Sequence, residues 1–169
     1  MAIIVEDGTG KTDANSYATV TEAREYASAR GVSLPDDSKV EAFLTIAMDY
    51  LESKKYKGRP SFPDHPQALS WPRTGVYVDC ELLPSNKIPR QLKSAQLQLV
   101  VEQANGKSLM PSTDGTVVKR KKVDVLEKEF FSPEELGQSG GPVPSFPMVD
   151  ALLADLIGGR GFSLRTERV

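Results

Sequence analysis

Apolar residues recur along this chain at helical spacing in four places and at strand spacing in almost none. The clearest stretch holds Val40, Phe43, Leu44, Ala47, Met48 and Leu51 at i, i+3, i+4, i+7, i+8 and i+11. That period puts all six on one face of a helix, with Lys39, Glu41, Asp49 and Glu52 turned away. Pro35-Asp36-Asp37-Ser38 offers several caps for its start. An earlier helix is predicted in TVTEAREYASARG, where Thr19 and Glu22 have capping-box spacing and Gly31 suits a left-handed stop. A third helix is predicted from near Pro89 to Gln103 or Ala104, before Asn105-Gly106, with Leu92, Ala95, Gln96, Leu99 and Val100 inward. The fourth follows Pro147, turns Val149, Leu152, Leu153, Leu156 and Ile157 inward, and ends at Gly158-Gly159.

No such stripe is stable alone in water, so the four imply a small bundle. The expected fold is mainly α: a small four-helix body with a long irregular excursion, a short extended β ribbon and a flexible C-terminal tail. The body spans 1–157, with the excursion at 58–88, the ribbon at 116–131 and a flexible linker at 132–146 inserted in it; residues 158–169 form the tail. Prolines and glycines concentrate between 58 and 89 and between 132 and 161, which sets these boundaries. The ribbon rests on the β-branched content of TVVKRKKVDVLEKEFF and its Val123/Val125 alternation, a period too broken to exclude a helix.

Composition narrows the function more than the fold. A chain of 169 residues is long enough for one domain with a real core. Its 21 basic and 23 acidic residues give no global positive field that would point to nucleic acid. Cys80 is the sole cysteine, which leaves no intrachain disulfide and no cysteine-based zinc site. No apolar run approaches the ~20 residues that span a bilayer. The N-terminus lacks a signal-peptide pattern, so a soluble protein with no membrane partner is expected.

One stretch imitates an enzyme. Ile3-Ile4-Val5 followed by Gly8-Thr9-Gly10-Lys11-Thr12 looks like a strand feeding a phosphate-binding loop. The full pattern needs a glycine five positions before Gly10, because the spacing lets successive N–H groups wrap the phosphates; Val5 stands there instead. Asp13 also puts a carboxylate where a phosphate would lie, so a glycine turn is expected and nucleotide binding is not.

His65, the only histidine, is pinned between Pro63-Asp64 and Pro66, and neither a catalytic dyad nor a metal-ligand spacing is built around it. No catalytic, cofactor-binding or metal-binding residue is expected, and no enzyme. Lys54, Lys55, Lys57 and Arg59 interleave with Tyr56 and Phe62, a pattern that could stack bases and follow phosphates. The balanced charge favours another role, with Lys54 and Lys55 at the end of the second helix and the aromatics tucking the following loop onto the bundle. The second basic run, Lys119-Arg120-Lys121-Lys122, is expected to be a solvated strand face.

Three blocks, in order, carry a resemblance over nearly the whole chain. They are EDGTGKTDANSYATVTEAREYASARG, then ALSWPRTGVYVDCELLPSNKIPRQLKSAQLQLV, then FPMVDALLADLI with a glycine-broken, arginine-rich tail. The Trp71-Pro72-Arg73-x-Gly75 to Ile88-Pro89 block is the most specific. Together they resemble the head–tail adaptor (head-completion or connector) proteins of tailed bacteriophages, whose relatives are often labelled DnaT-like single-stranded-DNA-binding proteins. Asp79-Cys80-Glu81, where relatives turn through glycine, and the linker at 137–147 depart from the pattern.

The resemblance implies an architectural role in the virion neck, with assembly in the host cytoplasm. Such adaptors form a homo-oligomeric ring, usually a dodecamer, under the portal protein and present a surface to the next tail or neck protein. Double-stranded DNA passes through the lumen without sequence-specific binding. Trp71, Pro72 and Arg73 are then expected to anchor the excursion. Portal binding is expected in the tail, where glycines detach Phe162 and Leu164, in strand-like alternation, amid Arg160, Arg165 and Arg168, with Val169 at the end. The alternative function is a single-stranded-DNA-binding replication accessory.

Overall fold

The computed structural model describes residues 2–62, 66–109 and 145–158, with the strands at 118–122 and 127–130. It is mainly α, with helices α1 (Val20–Ser28), α2 (Asp37–Glu52), α3 (Arg90–Ala104) and α4 (Pro147–Leu153). Strands β1 (Arg59–Pro60), β2 (Arg73–Thr74), β3 (Tyr77–Val78) and β4 (Glu81–Leu82) lie between α2 and α3, and β5 (Val118–Lys122) and β6 (Glu127–Phe130) between α3 and α4. The strands pair only as three antiparallel ribbons, β1–β2, β3–β4 and β5–β6.

Helix α3 packs against α1, α2 and α4. Its Leu92, Ala95, Gln96, Leu99 and Val100 are buried as their period predicts, and Leu97, Val101 and Gln103 are buried as well. A buried glutamine is tolerated only when its amide is satisfied. Gln96 Oε1 accepts from the Tyr17 N–H at 3.0 Å, and Nε2 donates to Ser16 Oγ at 2.9 Å and Leu44 O at 3.2 Å. One side chain thereby ties the N-terminal segment to both α2 and α3.

Local signals account for most helix ends. Thr19 and Glu22 form the reciprocal capping box of α1, and Gly31 follows that helix at φ 70°. Partial burial works against the Glu22 carboxylate, but the Thr19 N–H and Lys93 hold its pKa below the usual range. Helix α3 begins at Arg90, next to Pro89 as expected, with Pro89 in the N-cap position.

The fourth helix stops at Leu153 instead of reaching Gly158. Leu156 lies in a buried turn, and Ile157 bridges Tyr56 in antiparallel fashion. Lys57 N–H donates to Leu156 O and Gly158 N–H to Lys55 O, both at 2.9 Å, so pairing with the chain after α2 replaces the last helical turn.

The excursion is more regular than its proline content predicts. Arg59 pairs with Thr74 and Pro60 with Arg73, closing the loop on itself. Gly58 makes this closure possible: its φ is 69°, and a Cβ there would lie 2.3 Å from Thr74 O. Residues 123–126, most of the linker at 132–146, and the tail beyond Gly158 lie outside the described residues.

Candidate interaction surfaces

The loop that imitates a phosphate site already holds an anion, and it comes from the chain. Glu6 is fully buried, and its Oε1 accepts from the N–H groups of Gly8 at 2.8 Å and Gly10 at 2.9 Å. Its Oε2 accepts from the Lys11 N–H at 2.7 Å. Successive N–H groups in a glycine loop form an anion-binding concavity, and here the Glu6 carboxylate fills it. The Lys11 ammonium donates to Val5 O at 2.8 Å and lies 3.0 Å from Asp7 Oδ2. The Thr9 hydroxyl and Lys11 together hold the Asp7 pKa down to about 2. In the sequence Glu6 and Asp7 add negative charge before the loop, but only the turn's geometry shows Glu6 itself occupying the N–H groups. A glutamate two residues ahead of a Gly-x-Gly turn is the signal that was available.

Trp71 has no exposed surface and belongs to the main core. Its backbone N–H donates to the Tyr17 hydroxyl at 3.1 Å, which in turn donates to Glu52 Oε1 at 3.0 Å. Glu52 Oε2 accepts from the N–H and hydroxyl of Ser70 at 2.9 and 2.7 Å. Burial, and then the Glu52 charge, push the Tyr17 pKa well above its ordinary value. The Trp71–Pro72 peptide bond is cis. Arg73 clamps three carbonyls: Nε donates to Lys57 O at 2.7 Å, Nη2 to Gly58 O at 2.8 Å and Nη1 to Ser70 O at 3.1 Å.

This network absorbs the aromatics of the first basic run. Tyr56 packs edge-on against Trp71, with ring centroids 5.8 Å apart, and its hydroxyl donates to Leu51 O at 3.0 Å. Phe62 lies against Gly10, where an added Cβ would sit 2.4 Å from the ring. Both rings are part-buried, Tyr56 against the core and Phe62 against Gly10. Lys54 is half-buried, donates to the Tyr50 hydroxyl at 2.9 Å and lies 3.7 Å from Asp150. Lys55, Lys57 and Arg59 are exposed.

Large apolar side chains do reach solvent elsewhere. Tyr77 and Leu82 face each other across the β3–β4 hairpin and are 59% and 56% exposed. The hairpin tip is Asp79-Cys80, with φ 51° and 66°, the left-handed pair that a two-residue turn with the strands' twist demands. The acidic departure from the family pattern is therefore a tight hairpin. Ile46 on α2 and Met148 on α4 are also exposed, beside hollows that share Lys107 and Ser108.

Arg160, Phe162, Leu164, Arg165, Arg168 and Val169, expected to dock on a portal, lie outside the described residues, as does His65. Among the described residues no group of three or more His, Cys, Asp or Glu could hold a metal, and no helix is long and apolar enough to cross a membrane.

A family model described as "Putative DnaT-like ssDNA binding protein" matches residues 1–169. The chain belongs to that family. Its description names single-stranded-DNA binding and no part in a phage neck. No curated protein and no solved structure matches the chain.

Proposed function

We propose that this member of the DnaT-like family is a structural assembly protein without enzymatic activity, a ring-forming head–tail adaptor that docks under a portal and connects a DNA-filled head to a tail. One observation carries this reading. Tyr56 and Phe62, the aromatics that could stack bases, are part-buried against Trp71 and Gly10, while Tyr77 and Leu82 are more than half exposed on a hairpin, with Ile46 and Met148 exposed on other elements. The Tyr77–Leu82 pair on the hairpin suits a protein contact, and a ring needs two different surfaces on each copy.

The tail supplies the portal contact in this reading. Burying Phe162 and Leu164 contributes roughly 1.5–3 kcal/mol each. Ordering some eight backbone residues costs about 1–2 kcal/mol apiece. One tail is therefore too weak without backbone pairing and arginine–carboxylate contacts. A ring of tails succeeds, because each docked copy raises the effective concentration of the next.

The test mixes the chain with purified portal rings and images the product by electron microscopy. Full-length protein is expected to cap the rings, and a chain lacking 160–169 to keep its helical fold and leave them bare. Capping by the truncated chain moves the contact to the 58–88 excursion; no capping by either removes the adaptor reading.

A second reading, a single-stranded-DNA-binding replication accessory, is favoured by the family description. Its signature is tight binding to oligothymidine and weak binding to a duplex of equal length. That preference, together with bare portal rings, replaces the adaptor by the accessory.

A further inference from the structure

Two exposed segments of opposite charge lie side by side in this chain, and neither neutralises the other. Residues 76–83 hold Asp79 and Glu81 and no cation, whereas residues 53–63 hold Lys54, Lys55, Lys57 and Arg59 and no carboxylate. They meet at Gly58, where an added Cβ would lie 2.8 Å from Val76, the residue before β3. Lys54 is half-buried and turned to Asp150. Asp79, Glu81, Lys55, Lys57 and Arg59 are exposed, and among the described residues none of the five forms an ion pair.

The acidic hairpin is also apolar on both faces. Val76, Val78 and Leu83 pack toward the core, and the Leu83 N–H donates to Val76 O to extend the ladder. Tyr77 and Leu82, paired across the strands, form the solvent face. An antiparallel ribbon with one solvated face ordinarily carries polar residues there. Among the described residues β3 and β4 pack on no other helix or strand, so no element of the same chain covers the Tyr77–Leu82 pair. The basic segment, in contrast, is held firmly from beneath. Arg73 donates to Lys57 O and Gly58 O, and Ile157 bridges Tyr56.

We propose that the β3–β4 hairpin of one copy docks on the 55–59 segment of the next, setting Asp79 and Glu81 against Lys55, Lys57 and Arg59 and burying Tyr77 and Leu82 between the copies. The inference rests on the ring-forming part of the proposed function and supplies its second surface. Each copy gives its hairpin to one neighbour and its basic segment to the other, a heterologous contact. Both surfaces are preformed, so little backbone is ordered on docking. Tyr77 and Leu82 expose roughly 100 Å² each, far below the ~800 Å² per partner of a stable complex. A single contact is therefore weak. Opposite charge selects the partner and its register, and closure of the ring gives every copy two contacts.

The experiment sediments the full chain and two charge-reversed variants, alone and mixed. One variant carries Asp79→Asn and Glu81→Lys, the other Lys55→Glu and Arg59→Glu. All four positions are exposed, so melting temperatures are expected to match wild type. Wild type is expected to associate at about 0.1 M salt and less at about 1 M, where the Debye length has fallen from about 10 Å to about 3 Å. An exposed ion pair is worth a factor of about 1.5 to 5, and reversal turns attraction into repulsion, so each variant alone is expected to associate about ten- to a hundred-fold more weakly. Their equimolar mixture is expected to recover assembly, because reversed hairpin meets reversed segment and native meets native. Misfolding cannot produce that recovery. Leu82→Ser is expected to weaken association about five- to fifteen-fold. A mixture no better than its parts overturns the proposal. So does a wild-type chain that stays monomeric and takes oligothymidine on the 55–59 segment, because the occupant is then a polyanion. Assembly of the mixture that stops at one-to-one pairs overturns the head-to-tail arrangement. Portal capping is read separately by electron microscopy. Both variants capping like wild type would place the ring contact elsewhere and leave the adaptor reading standing, whereas recovery in the mixture beside bare portal rings would keep this contact and remove the portal.

Discussion

The chain's two basic runs have the same number of cations and opposite relations to the body. Lys54, Lys55, Lys57 and Arg59 alternate with Tyr56 and precede Phe62, and both rings are held by the body, on Trp71 and on Gly10. Arg73 and the Ile157 bridge hold the same segment from either side. The run at 119–122 has no apolar residue among its cations, and among the described residues its strands pack on no other helix or strand. Counting cations cannot separate the two. Apolar residues next to the charges decide whether a basic segment is fastened down, because burial of a ring outweighs the weak energetics of exposed charge.

The comparison breaks most easily at its anchor. Trp71→Ala is expected to cost about 3–5 kcal/mol, a large part of ordinary domain stability, and to abolish cooperative unfolding in a urea titration. If the variant melts like wild type, the first run is not fastened through this ring. Glu6→Ala tests the other anchor, the loop against which Phe62 lies. It strands buried N–H groups at Gly8, Gly10 and Lys11, a loss of about 1–3 kcal/mol if water reaches only part of the pocket. ATP binding by wild type in a calorimeter would show that Glu6 yields its place to phosphate; none is expected.

Tyr17→Phe sharpens the same network through pH. The raised pKa of Tyr17 means that the folded state keeps the phenol protonated when the unfolded chain has released it. Its contribution is complete below the ordinary tyrosine value of 10.0 and declines as pH rises above it. Wild-type stability should therefore decline as pH rises above 10, and the Phe variant, about 1 kcal/mol weaker at pH 8, should decline less. Parallel curves would leave Tyr56, whose pKa burial and Glu52 also raise, as the alkaline-sensitive group in this network. The smallest effect belongs to the ribbon, where changing all four cations at 119–122 to Ser should alter unfolding free energy by less than about 0.5 kcal/mol. A larger loss would mean that the ribbon is fastened after all.

Much of the helical body was legible in the sequence because helix formation leaves local marks. The stripe from Val40 to Leu51, the Thr19–Glu22 box and the stop before Asn105-Gly106 are each read within a dozen residues, and each lies where it was expected. The end of α4 was not legible, since Leu156 and Ile157 continue a helical period and only the chain at 55–57, about a hundred residues earlier, draws them into a bridge. The candidate surfaces follow the same division. The missing glycine at Val5 and the carboxylate of Asp13 argue from sequence alone against a nucleotide site, whereas Glu6 as the loop's own anion depended on the turn's geometry. Likewise, nothing local in the sequence sets the different depths of Tyr56 and Tyr77. One is packed on Trp71 and the other is exposed because strand pairing and the Arg73 clamp set the two segments at different depths, and burial is a property of distant neighbours that local pattern does not contain.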